Sequence, residues 1–112
     1  MAASVHKGPP IATADVNNEI RASLTRDYQI EVVVSPHEGD AWSRLSKRIT
    51  GDASRWHELS RLNGTGDMLT SEAHIRVPFS MIKPELQQEI IAKLIPKGSA
   101  TESDWKRMSG HP

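Results

Sequence analysis

Gly39-Asp40-Ala41-Trp42-Ser43-Arg44-Leu45-Ser46-Lys47-Arg48-Ile49-Thr50, continued by Gly51-Asp52-Ala53-Ser54-Arg55-Trp56-His57-Glu58-Leu59-Ser60-Arg61-Leu62-Asn63, is the stretch on which the fold turns. Apolar residues fall at Trp42, Leu45 and Ile49, break at Gly51-Asp52 and resume at Trp56, Leu59 and Leu62. That spacing predicts two short helices, each with one apolar stripe. Asp40 is expected to cap the first, which runs from Ala41 to Thr50, and Gly51 to close it in the left-handed region. Asp52 or Ser54 caps the second, which stops at Asn63-Gly64. Helices of about ten residues are marginal alone in water, so these two must be held by packing on each other and on a sheet.

The sheet is read from the flanks. Tyr28-Gln29-Ile30-Glu31-Val32-Val33-Val34 is rich in β-branched residues, with Tyr28, Ile30, Val32 and Val34 on one face and Gln29, Glu31 and Val33 on the other. Ser35-Pro36 ends it, because proline cannot extend a ladder. After the helices, His74-Ile75-Arg76-Val77 alternates as a half-buried strand closed by Pro78. The order strand, helix, helix, strand predicts an α+β module whose two-stranded antiparallel sheet persists because the helices cover one face.

Further out, Pro84 fits the first turn of a third helix between Ser80 and Ile95, with Leu86, Ile90, Ile91 and Leu94 as its stripe. It is expected to pack back on the module, since otherwise it would expose an apolar patch. Val16, Ile20 and Leu24 recur every fourth residue behind Asp15, which predicts a short N-terminal helix. The expected organisation is residues 1–27 as a linker with that helix, 28–79 as the module, 80–96 as the added helix and 97–112 as a second linker.

Composition narrows the function. The 112 residues carry 14 Lys and Arg against 14 Asp and Glu, so no excess field favours nucleic acid or an anionic membrane. There is no cysteine, which excludes disulfides, thiolate metal sites and a thiol nucleophile. No apolar run is long enough to span a bilayer. His37-Glu38 and His57-Glu58 begin like zinc-binding helix motifs, but Ala41 and Arg61 stand where the second histidine would be needed. Gly64-Thr65-Gly66 lacks the lysine and helix start of a phosphate cradle. No cofactor or metal is expected.

In this order Gly39-Asp40-Ala41-Trp42, Asp52-Ala53-Ser54-Arg55-Trp56, Leu62-Asn63-Gly64 and Ile75-Arg76-Val77-Pro78 resemble a LysM domain, over residues 28–78. Residues 77–105, with Pro96 and Trp105, look like a stretch found in bacterial N-acetylmuramoyl-L-alanine amidases, though none of the amidase's catalytic signature is present. The resemblance implies a module that binds peptidoglycan or another N-acetylglucosamine-containing glycan, beside the flanking domains of a larger cell-envelope or secreted chain. Carried over by position, Gly39, Asp40, Ala41 and Trp42 form one wall of the groove, and Asn63, Gly64, Met68 and Leu69 the other. Ala41 departs from the family's usual threonine and lacks its hydroxyl. Each residue also has a structural reading: Asp40 as cap, Gly39 as turn former, Trp42 as core anchor. A second reading is a structural adaptor, like LysM-like proteins of phage tails or baseplates, placed in a virion and contacting protein.

Overall fold

The computed structural model describes residues 8–64, 69–70 and 72–108. Four strands, β1 (Ala12–Asp15), β2 (Ile20–Leu24), β3 (Ile30–Val34) and β4 (Ile75–Pro78), form one antiparallel sheet in the order β1-β2-β3-β4. Four helices, α1 (Trp42–Thr50), α2 (Trp56–Asn63), α3 (Pro84–Leu94) and α4 (Ala100–Met108), complete an α+β fold.

The strand, helix, helix, strand centre is present, with β3 and β4 antiparallel as expected. The sheet, however, has four strands and not two. Residues 15–24 do not make a helix: Asn17 and Asn18 turn the chain between β1 and β2, and the Asn17 Oδ1 accepts the N–H groups of Glu19 and Ile20 at 2.9 Å each. A spacing of four satisfies a strand as well as a helix, since Ile20, Ala22 and Leu24 also alternate and all three are buried. The sheet therefore begins at Ala12, and the module does not start at residue 28. Tyr28 is not in β3; it sits at φ 63 in the turn from Thr25 to Gln29, where its N–H donates to the Thr25 carbonyl.

Register aligns the inner face. Ile20 lies beside Val34 and Val34 beside Ile75; Ala22 beside Val32 and Val32 beside Val77. These six are buried, and onto them pack Trp42, Leu45 and Ile49 of α1, Leu59 of α2, and Ile90 and Leu94 of α3. Burial of each such aliphatic side chain is worth about 1.5–3 kcal/mol, which is what holds helices this short. The expected stripe of α2 is incomplete: Leu59 is buried and Trp56 half-buried, but Leu62 is 60 % exposed.

Helix α3 packs on β1 and β2, so the added helix covers the added hairpin. Lys83 N–H donates to the Ile49 carbonyl at 3.0 Å, and Gln87 Nε2 donates to the carbonyls of Phe79 and Ile82, fixing α3 against the end of α1 and the 3-10 turn before it. The expected linker at 97–112 contains α4. Ser99 Oγ accepts the Glu102 N–H at 3.0 Å and Glu102 Oε1 accepts the Gly98 N–H at 2.6 Å, a reciprocal cap of the Ser-x-x-Glu kind. Trp105 then packs half-buried on the core.

Candidate functional site

The segments that leave β3 and enter β4 start side by side, because Val34 and Ile75 are cross-strand partners. Residues 35–41 and 72–74 consequently share one end of the sheet, where the groove is expected. Its residues divide by what they are already doing.

Gly39 is exposed with φ 82, and Ala41 is exposed. Gly64, exposed with φ 64, ends α2 as expected. These three present backbone to solvent. Asp40 does not cap α1. Ala41 holds that position without a side-chain bond, while Asp40 Oδ2 accepts the His37 N–H at 2.8 Å and Asp40 N–H donates to the His37 carbonyl at 3.0 Å. The carboxylate is drawn back by Arg48, whose Nη2 and Nη1 reach it at 2.7 and 3.2 Å. Arg48 Nε in turn donates to both Glu19 oxygens, at 2.8 and 2.7 Å, and His37 Nε2 lies 3.4 Å from Glu19. Only 4 % of the Asp40 side chain and 9 % of that of Glu19 are exposed, so α1, the loop after β3 and the β1–β2 turn meet in one charged knot. The Arg48 guanidinium holds the Asp40 carboxyl below the usual carboxylate range against the opposing effect of burial, with the His37 N–H assisting.

Trp42 is a core residue, 5 % exposed, and its indole N–H meets no protein acceptor among the described residues. Asn63 is a clamp. Its Nδ2 donates to the carbonyls of Leu59 and Arg76 at 2.8 and 3.0 Å, and its Oδ1 accepts the Arg76 N–H at 2.8 Å, so the carboxamide pairs with β4 as another strand would. Leu69 packs half-buried against the core. Met68 lies outside the described residues. The structure thus turns Asp40, Trp42, Asn63 and Leu69 to interior tasks.

The cavities lie elsewhere. The helices cover one face of the sheet, and two of the cavities among the described residues lie along β3, one reaching the β4 edge and one on the outer face. One of about 310 Å³ runs over Ile30, Val33 and Pro78 to the exposed Leu62. The other, of about 480 Å³, lies at the end that carries the two loops, over Arg21, Val33, Ser35, His74 and Arg76. Strand alternation around Val33 was legible in the sequence; that Arg21 would stand next to it was not, because β2 was read as a helix. Among the described residues no group of three or more His, Asp or Glu could hold a metal ion, and no helix is long and apolar enough to cross a membrane. The chain matches no protein-family model, no curated protein and no solved structure.

Proposed function

We propose that this chain is a non-catalytic glycan-binding module, taking N-acetylglucosamine-containing polymer such as peptidoglycan at the end of the sheet that carries residues 35–41 and 72–74, and holding a cell-wall enzyme near its substrate. The observation that supports the reading is the cross-strand pairing of Val34 with Ile75, which puts the exit from β3 beside the entry to β4. The exposed Gly39 backbone and the Ala41 N–H supply groups suited to acetamido and hydroxyl groups, whereas the Ala41 carbonyl already accepts the Leu45 N–H and the Gly64 N–H donates to the Arg61 carbonyl. With Asp40, Trp42 and Asn63 already engaged, recognition rests on backbone and shape, and no bond is broken. Affinity for a short oligomer is low and attachment gains from several modules acting together. The test is sedimentation of the chain with insoluble peptidoglycan and NMR titration with N-acetylglucosamine oligomers. Shifts are expected at Gly39, Ala41 and Gly64; none at millimolar ligand would remove the reading.

One observation favours a second reading, a structural adaptor. Leu62 is a large exposed apolar side chain beside the 310 Å³ groove over β3 and β4. A protein partner burying about 1,000 Å² or more over this region, with the loop crevice left empty, would establish it in place of the first.

A further inference from the structure

The larger outer-face cavity has a charge arrangement that the glycan crevice does not use. Register places Asp15, Arg21, Val33 and Arg76 in one row across β1, β2, β3 and β4. Their neighbours in sequence, Ile20, Ala22, Val32, Val34, Ile75 and Val77, are buried inward, so this row points outward. The two arginines stand on either side of Val33, two strand spacings or about 10 Å apart along the row.

The nearby carboxylates are already engaged. Asp15 pairs with Arg21 at 3.2 Å, and Glu19 is turned to Arg48. Among the described residues no carboxylate pairs with the Arg76 guanidinium, while its backbone is fixed by Asn63. A planar cationic fork on a held backbone, next to the half-buried Val33 and close to His74 and Ser35, suits an anion with a short apolar arm. A carboxylate meets the fork with two parallel hydrogen bonds; an uncharged amide offers one acceptor oxygen and no charge.

We infer that Arg76, with Arg21 and Val33, forms a binding site for the free carboxylate of a short peptide. In the setting of the proposed glycan function, on which this part rests, the peptide is one carried by the glycan strand, since Ser35 and His74 lie at the roots of the two crevice loops. The site then adds to the crevice a preference for peptide-substituted over bare glycan.

The experiment titrates the isotope-labelled full chain with three probes: the dipeptide Ala-Glu, its uncharged counterpart Ala-Gln amide, and an N-acetylglucosamine tetramer. Ala-Glu is expected to shift the amides of Arg21, Val33 and Arg76 and to bind about threefold or more tightly than Ala-Gln amide, the gap closing in about 0.5 M salt. Arg76→Gln, a change on an exposed position, is expected to keep the native spectrum and abolish the difference. Equal binding of the two dipeptides, or an unchanged difference in Arg76→Gln, overturns the site. The tetramer reports on the crevice alone. If it leaves residues 39–41 and 64 unmoved while Ala-Glu still shifts the row, the glycan reading falls and the carboxylate site stands; the reverse pattern removes the site and leaves the crevice.

Discussion

At the scale of single residues, three side chains assigned by position to a sugar groove do structural work that mutation can weigh. Asn63→Ala removes three hydrogen bonds and leaves the Arg76 peptide group unpaired at the sheet edge, a loss of about 1–3 kcal/mol expected in urea unfolding. Trp42→Ala empties a core site and should cost about 3–5 kcal/mol, whereas Trp42→Phe should stay within about 1.5 kcal/mol because the indole N–H gives up no protein partner. If Trp42→Phe instead weakened binding to peptidoglycan with stability intact, the tryptophan would belong to the ligand site after all. Arg48→Met leaves Glu19 and Asp40 facing each other without their shared cation, and should cost about 2 kcal/mol at neutral pH. Because the folded-state pKa of Asp40 is depressed, its contribution is fully present above the unfolded value, about 3.9, and is lost as pH falls through the lower folded value. Wild type should therefore lose stability on acidification below about pH 4 more steeply than Arg48→Met, which is read from unfolding midpoints across that range.

At the scale of elements, what could be read in advance followed the strength of local signals. The centre was legible because Trp42, Leu45 and Ile49 on one side and Gly51 and Gly64 on the other report helix face and helix end independently, and both glycines do adopt φ above +60°. The N-terminal hairpin was not, since Val16, Ile20 and Leu24 fit two periods; the Asn17-Asn18 pair was the signal that separates them. Helix α4 was passed over although Ser99 and Glu102 spell its cap. The roles of the residues assigned to a groove by resemblance were not legible, because a sequence pattern does not say that Arg48 and Glu19 reach Asp40 or that Asn63 pairs with Arg76. The outer-face row was invisible, as it exists only once four strands are in register. The hairpin matters energetically: α3 buries Ile90 and Leu94 toward β1 and β2. A chain beginning at residue 28 should fail to fold, losing dispersed amide resonances and near-ultraviolet circular dichroism, and Ile90→Ala in the full chain should cost about 2–5 kcal/mol.

At the scale of the molecule, helices gathered on one side of the sheet leave the other side bare, and the two faces differ in chemistry. The inner face is apolar throughout; the outer mixes Asp15, Arg21, Glu31 and Arg76 with Val33 and Pro78. Substituting Leu62 by serine should change stability by less than about 0.5 kcal/mol, being largely solvated already, yet would weaken any protein contact made through the neighbouring groove. Size-exclusion and pull-down measurements on Leu62→Ser separate the adaptor reading from the glycan one, which predicts unaltered sedimentation with peptidoglycan.

One small feature governs how copies of this chain coexist. With the Asn63 carboxamide seated on Arg76 and proline at position 78 offering no N–H, the β4 flank of the sheet ends in a side chain and a ring. A passing strand finds no ladder there to extend, so crowded molecules can touch along that border without zipping into fibres.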